Sequence, residues 1–220
     1  KKPNLVRNKV ANFKASLKDN AILSIDRIGK LLILDLADKN FLLIHLKMTG
    51  QLIYSSKDDL IAGGHNFPSV DNLPNKYSYI IFSFADNSKL FFNDMRQFGY
   101  MHLVNKNIKQ KIKARFGIEP GTKNFTLRNF RAIMKSRRGV LKALLLNQQI
   151  ISGIGNIYAD EICFRAKVLP NRTVDSLSDN EIKKIFETVK KIVLDIVSGN
   201  HDAVIVRNEK TEVLPLKLGK

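Results

Sequence analysis

The chain has 220 residues, 44% of them hydrophobic, enough for one large core or two modest ones. Lys and Arg outnumber Asp and Glu by 37 to 20, and the net charge of +17 points to a polyanionic partner, nucleic acid first and an acidic membrane surface second. A single cysteine, Cys163, excludes an internal disulfide framework and a cysteine zinc site, and no run of roughly 18 apolar residues is present to span a membrane. With no signal peptide in view, the composition suits an intracellular, soluble protein.

Residues 1–105 read as β-rich. Branched and aromatic runs at Ala21–Ile28, Lys30–Leu36, Phe41–Met48, Tyr77–Phe84 and Lys89–Phe92 predict strands. Turn residues separate them at Asp38-Lys39-Asn40, Thr49-Gly50 and Asp86-Asn87-Ser88. The spacing suits an antiparallel sandwich or barrel. Leu60–Pro74, with Gly63-Gly64-His65, Pro68 and Pro74, predicts a loop. A charge-rich boundary falls near residues 104–110.

Residues 106–200 read as helical. Lys106–Phe116 predicts a basic helix, and Thr126–Lys135 a second with Thr126 near its cap. Gly139–Gln149 predicts the first arm of a helical pair. A Ser-Gly-Ile-Gly turn follows, and Asn156 is expected to cap a second arm running from Ile157 to about Lys167. Ser178-Asp-Asn-Glu181 is a capping box, after which Ile182, Ile185, Phe186, Val189, Ile192, Val193, Ile196 and Val197 keep helical period to Gly199. His201–Lys220 reads as a β-ribbon, Ala203–Val206 then Val213–Leu218. The fold class is α+β: an N-terminal antiparallel β-sandwich followed by a helical domain.

Several constellations can carry chemistry, each with a structural reading beside it. At the Ser152–Gly155 turn, a helix N-terminus with free N–H groups binds phosphate, but an ordinary corner between two core helices has the same spacing. Lys135-Ser-Arg137-Arg138-Gly139 and Lys142 lie beside that turn as a backbone clamp or as a solvated charged face. In Asp94-Met-Arg96-Gln-Phe98-Gly99, a guanidinium and a ring two residues apart can fill a gap in a base stack; the alternative is an Arg paired to Asp94 and a core Phe. Met48, in His45-Leu-Lys-Met-Thr-Gly50, ends a strand and is a second wedge candidate or core filler. Lys30 opens an apolar strand and either holds a phosphate, with proton transfer if desolvated, or is a solvated strand end. Histidines 45, 65, 102 and 201 share no metal spacing, no nucleophilic Ser or Cys motif stands out, and Gly153-Ile-Gly155 is too short for a dinucleotide fingerprint.

Taken in order, Arg27-Ile-Gly-Lys30-Leu-Leu, His45-Leu-Lys-Met-Thr-Gly50, Asp94-Met-Arg-Gln-Phe-Gly99, Gly117-Ile-Glu-Pro120 and Gly153-Ile-Gly-Asn-Ile-Tyr-Ala-Asp-Glu161 resemble formamidopyrimidine-DNA glycosylase, the bacterial enzyme that excises oxidised purines such as 8-oxoguanine. The resemblance covers about residues 3–200; endonuclease VIII is a sister branch. It implies a β-sandwich catalytic-type domain over 1–105 and a helix-two-turn-helix DNA-binding domain over 106–200. Residues 201–220 would then be a ribbon remnant or a truncated finger. It further implies double-stranded DNA held between the domains, the damaged nucleotide flipped out, and a monomer working at the bacterial nucleoid in the cytoplasm.

By motif position, Met48, Arg96 and Phe98 would fill the vacated stack. Lys30 would bind phosphate beside the lesion and assist strand cleavage. Gly155 and Asn156 would bind backbone phosphate with Tyr158 nearby. Arg137 and Lys142 would add basic contacts, and Tyr77 would stand where the family often has a DNA-touching histidine. The family's nucleophile is an N-terminal proline followed by a glutamate acid–base partner, working through a Schiff base with abasic-site lyase cleavage. This sequence opens Lys1-Lys2-Pro3-Asn4, and Lys1–Asn8 resembles the family's second strand, so the Pro-Glu segment is not among these residues. The family's structural zinc sits in a finger of two cysteine pairs, which this sequence does not contain, so no cofactor is expected here. The contrasting expectations are a non-catalytic binder of damaged or distorted DNA, and an RNA- or ribosome-binding helix-two-turn-helix protein, which would need no wedge.

Overall fold

The computed structural model describes residues 5–64, 72–197 and 214–217. Pro3, His65, Pro68, Gly199, His201 and the expected strand Ala203–Val206 lie outside the described residues. Two compact units divide the chain, Lys1–Gln110 with Val206–Lys220, and Lys111–Ile205.

The first unit is two antiparallel sheets sharing one core. Its elements are α1 (Val10–Leu17), β1 (Ala21–Ile28), β2 (Leu31–Leu36), β3 (Phe41–His45), β4 (Gly50–Ser55), β5 (Leu60–Gly64), β6 (Ser78–Phe84), β7 (Lys89–Asp94), β8 (Tyr100–Val104) and β9 (Leu214–Lys217). The strand order is β5-β4-β7-β6-β9-β1-β2-β3-β8. The backbone of β9 pairs with β1 on one side and β6 on the other, joining the two sheets. Leu34, Leu36, Leu42 and Ile44 from one sheet and Phe82, Phe84 and Phe92 from the other close on the same core, with Phe13 and Leu17 of α1. Burial of such apolar area is the main driving force for this arrangement.

Four elements differ from the sequence reading. Helix α1 was not expected: its N-cap residue Lys9 makes no side-chain cap bond and no acid sits in its first turn, so the usual start signals are missing. It forms because Phe13 and Leu17, four apart, drop into the core. Strands β4 and β8, which open at or just after Gly50 and Gly99, were also unmarked. Leu60–Gly64, expected within a loop, is a strand: it ladders against β4 from Ser55↔Leu60 to Gln51↔Gly64. It is a sheet edge with mostly exposed side chains, so backbone pairing makes it a strand where no burial alternation announces one.

The second unit is helical. Helix α2 (Lys106–Lys113) runs across the division, followed by α3 (Leu127–Lys135), α4 (Leu141–Leu146), α5 (Asn156–Ala166) and α6 (Asp179–Val197). Thr126 caps α3, its Oγ1 accepting the Asn129 N–H at 3.2 Å. The capping box forms: the Ser178 N–H donates to Glu181 Oε2 at 2.8 Å and the Glu181 N–H to Ser178 Oγ at 3.3 Å. With Arg172 adding a second donor, the Glu181 carboxyl is lowered to about 2. Phe125, Phe130 and Phe186 meet with centroids 5.2–5.7 Å apart at the centre of the core. No helix among the described residues is long and apolar enough to cross a membrane.

One non-local constraint shapes this unit. The Gly117 and Ile118 N–H groups donate to the Gln148 and Ile150 carbonyls at 2.9 and 3.1 Å, and Ser152 N–H returns to Ile118 O at 3.0 Å. A Cβ on Gly117 would collide with the Ile150 carbonyl, so only glycine fits. Gly117→Ala should therefore lower the unfolding free energy of this unit by roughly 1–3 kcal/mol or more, read by urea denaturation; an unchanged midpoint would show that the close approach is not maintained in solution.

Candidate functional site

In the first unit, Met48 and the loop after β7 meet although they are nearly fifty residues apart. The β4–β7 ladder sets Gly50 opposite Asp94, so the residues just before Gly50 lie beside those just after Asp94. Arg96 Nη1 reaches Met48 Sδ at 3.5 Å, and the Arg96 guanidinium carbon stands 4.6 Å from the Phe98 ring centre. Met48 is 54% and Phe98 52% exposed, so neither is a core residue. The alternative in which Arg96 pairs with Asp94 is also not what forms: Asp94 is fully buried and takes backbone N–H groups instead. An exposed guanidinium touching an exposed thioether on one side and an exposed ring on the other is an arrangement that an intercalating wedge would need.

A basic and aromatic cluster adjoins this triad. Lys30 stands with Gly29 in the two-residue turn between β1 and β2, not at the head of β2 as expected, because Ile28 pairs Leu31 and leaves Lys30 to the turn. Burial and the charge of Lys47, the residue before Met48, lower the Lys30 ammonium from its ordinary value, although its surface is exposed. Arg7 stacks 3.3 Å above the Tyr100 ring, His45 lies 5.7 Å from the same ring, and Lys47 Nζ is 5.9 Å away. His45 Nδ1 accepts the Lys47 N–H at 3.0 Å, so the neutral ring carries its proton on Nε2. Burial first, then Lys47, Lys30 and Arg7, depress His45 to about 4. Arg7, Lys30 and Lys47 have no acidic partner among the described residues, which suits an anionic ligand. Tyr77 is half-buried just before β6, its carbonyl accepting the Asp94 N–H at 3.1 Å, with Lys76 Nζ 5.1 Å from its ring.

In the second unit, the turn between α4 and α5 is built by Gln148. Its Nε2 donates to the Leu146 and Ile154 carbonyls at 3.0 and 2.8 Å, and its Oε1 accepts the Gly153 N–H at 2.8 Å. Asn156 is not the N-cap. Gly155 takes the extended cap conformation, with φ −115 and ψ 179, and its carbonyl accepts the Ala159 N–H at 2.8 Å. Asn156 is thereby the first helical residue, exposed and with no side-chain hydrogen bond among the described residues, available to a ligand at the helix N-terminus. Arg137 is exposed without an acidic partner among the described residues. Lys142 is held by Asp160 at 2.6 Å. Tyr158 packs half-buried against the helical core, which raises its hydroxyl pKa. Cys163 is buried and burial raises its thiol, as for a small core residue. Sequence reasoning missed Gln148, whose signal was only its place after an apolar helix, and it missed Asp94, Thr49 and Arg7, which act across long stretches of chain.

Family comparisons agree with this architecture. A profile described as the formamidopyrimidine-DNA glycosylase N-terminal domain matches residues 1–101, and one described as the formamidopyrimidine-DNA glycosylase H2TH domain matches residues 116–207. Over 215 residues the chain is 31% identical to the formamidopyrimidine-DNA glycosylase of Pelotomaculum thermopropionicum, covering 91% of this chain and 73% of that protein. The chain belongs to the formamidopyrimidine-DNA glycosylase family. It is 38% identical to the Listeria innocua enzyme over 188 residues, 84% of this chain, but spans only 64% of that relative's length. The Lactococcus lactis glycosylase bound non-covalently to DNA containing an abasic site superposes with a TM-score of 0.77 at 25% identity, covering 91% of this chain and 72% of that one. The same protein with DNA containing FAPY-dG gives a TM-score of 0.76 at 26% identity, over 89% of this chain and 69% of that one. The one cysteine does not fit a zinc finger of two cysteine pairs, and among the described residues no three His, Cys, Asp or Glu side chains gather to hold a metal.

The charge cluster makes a pH prediction. The folded His45 pKa lies below its unfolded value near 6.5, so the unfolded chain binds the extra proton. Its contribution to stability is therefore complete above pH 6.5 and is lost as pH falls toward about 4. Lys47→Ala should raise the His45 pKa and shallow that decline, measured by NMR titration of the ring and by denaturation at several pH values; an unmoved titration would remove Lys47 from the cluster.

Proposed function

We propose that this chain is the DNA-recognising body of a base-excision repair glycosylase that removes oxidised purines, 8-oxoguanine and formamidopyrimidines, from duplex DNA. The observation that carries the reading is the exposed contact of Arg96 with Met48 and Phe98, beside the cations Arg7, Lys30 and Lys47, which have no acidic partner among the described residues. Family membership and the relatives' complexes with damaged DNA support it.

The chemistry follows from the parts. A base inside a duplex cannot reach an active site, so the nucleotide must be extruded at a cost of a few kcal/mol. Phe98 and Met48 offset part of that cost by filling the vacated stack, while Arg96, whose guanidinium has donors to spare, bonds the orphaned base. In this reading Lys30 holds a phosphate beside the lesion and assists strand cleavage; Tyr77 adds a nearby contact. In the second unit Gly155 and Asn156 take a backbone phosphate at the α5 N-terminus, with Tyr158 beside them and Arg137 and Lys142 as basic contacts. Base removal and lyase cleavage run through a Schiff base on the family's N-terminal proline with its glutamate, on a monomer at the bacterial nucleoid. A structural zinc belongs to the family's finger and no step here passes through one.

Borohydride trapping of the full-length gene product on an 8-oxoguanine duplex, followed by mass spectrometry, tests the enzyme. A covalent adduct on the N-terminal proline is expected. Tight binding to damaged duplex with no adduct would instead establish a non-catalytic binder. Phe98→Ala should lose roughly tenfold or more of the preference for abasic over intact duplex while keeping non-specific binding. Arg137→Ala should weaken both duplexes alike and reduce the salt slope by about one, since a phosphate contact carries no sequence information; unchanged affinity and slope would remove Arg137 from the interface.

A further inference from the structure

The wedge needs two loops held at a fixed offset, and one buried hydrogen-bond centre does this. Asp94 ends β7 with no exposed surface. Its Oδ2 accepts the Gly99 N–H at 2.6 Å and its Oδ1 accepts the Arg96 N–H at 3.2 Å, so one carboxyl closes both ends of the loop that carries Arg96 and Phe98. The same Oδ1 accepts the hydroxyl of Thr49, the residue after Met48, and Thr49 Oγ1 in turn accepts the Arg96 N–H at 3.0 Å. Thr49 is itself buried. A Cβ on Gly99 would sit 2.7 Å from Phe92 Cζ and 3.0 Å from Asp94 Oδ2, so the loop passes too close to this centre for any larger residue. The loop's outer side is tied by Gln97 Nε2 donating to the Tyr79 hydroxyl at 2.7 Å.

We propose that Asp94 and Thr49 are positioning residues: their buried hydrogen bond latches the Met48 loop to the Arg96–Phe98 loop, so that thioether, guanidinium and ring enter a DNA stack as one preset unit. Neither side chain touches DNA. Without the latch each loop must be ordered separately during insertion, and ordering rotamer-rich side chains opposes binding. The proposal rests on the reading of Met48, Arg96 and Phe98 as a base-stack wedge.

The test uses a duplex carrying a tetrahydrofuran abasic analogue opposite 2-aminopurine, and the matching intact duplex. Thr49→Val keeps the shape and removes the hydroxyl. It should lose about tenfold in preference for the abasic duplex and blunt the 2-aminopurine response, with intact-duplex affinity within about twofold of wild type. Thr49→Ser should restore both. Because the latch acts through the wedge, Thr49→Val should cost almost nothing further in a Phe98→Ala background. In the free protein, the Met48 methyl resonance should move toward its random-coil position in Thr49→Val while buried Met101 and Met134 stay put. Retained preference in Thr49→Val, additive losses in the double variant, or an unmoved Met48 signal would each overturn the latch. A wild-type chain that does not prefer the abasic duplex would overturn the wedge reading instead, and the Met48 resonance would still decide whether the loops are latched.

Discussion

Gly50 lies opposite Asp94 in the β4–β7 ladder, and the candidate site depends on that register. Side chains alternate along a strand, so a slip of one residue would send each inward side chain outward. The ladder is pinned from below: Leu52 faces Phe92 and Ile53 faces Phe91, and Ile53, Phe91 and Phe92 are buried. The apolar core of the first unit thus fixes the relation of two loops that leave the sheet at its polar end. Fine adjustment falls to the Asp94 carboxyl, which is buried but satisfied by three donors, the condition under which a buried polar group specifies a geometry instead of destabilising it.

Charge is arranged with a comparable division of labour. In the second unit, cations are commonly neutralised: Lys135 by Asp179, Lys142 by Asp160, Arg165 by Glu161 and Asp195, Arg172 by Glu181. Exposed pairs of this kind contribute little to stability. Around His45 and Tyr100 the pattern reverses: Arg7 and Lys47 lie over the Tyr100 ring, Lys30 adds its charge near His45, and no carboxylate pairs with these three among the described residues; burial first, and then the three cations, keep His45 neutral. Like charges gathered without counterions destabilise the free protein and favour whatever anion joins them. The net charge of +17 is thus less informative than the place where it is left uncompensated.

The β-rich half was legible where strands alternate and Asn-, Asp- or Gly-containing turns punctuate them; β1 was read to the residue. Legibility failed where structure is imposed from outside the segment. Helix α1 has only Phe13 and Leu17 to anchor it, and β5 is made by its partner's backbone. The Asn156 cap was misread because the intrinsic cap preference of Asn was weighed without Gly155, itself an accepted cap residue one position earlier. Motif order marked Met48, Arg96 and Phe98, but nothing local says that Thr49 and Asp94 share a hydrogen bond across 45 residues. Pairwise contacts of that separation are written in the fold, not in any window of sequence.

The backbone itself marks the same place. Non-glycine residues with positive φ among the described residues include Asp19, Lys39 and Asn87 at connections and Lys167 at a helix end, where short turns and caps require them. The remaining two are Lys47, φ 56, and Gln97, φ 55. One precedes Met48 and the other stands between Arg96 and Phe98. The left-handed region costs a side-chain-bearing residue about 1–2 kcal/mol, so each must be held by its surroundings. Lys47 is held by its N–H on His45 Nδ1, and Gln97 by its N–H on the Asp94 carbonyl at 3.3 Å and its amide on Tyr79. The bends turn both chains sharply at the tip of the sheet and leave Met48 and Phe98 in solvent, where burial would otherwise draw a thioether and a phenyl ring inward. Local conformational cost and exposed apolar surface therefore coincide where Met48, Arg96 and Phe98 meet. The exposed surface is covered if that point enters a stack of bases, since the Phe98 ring and the Met48 thioether then gain the apolar contact that the fold denies them, while the two backbone bends remain and keep both side chains turned outward.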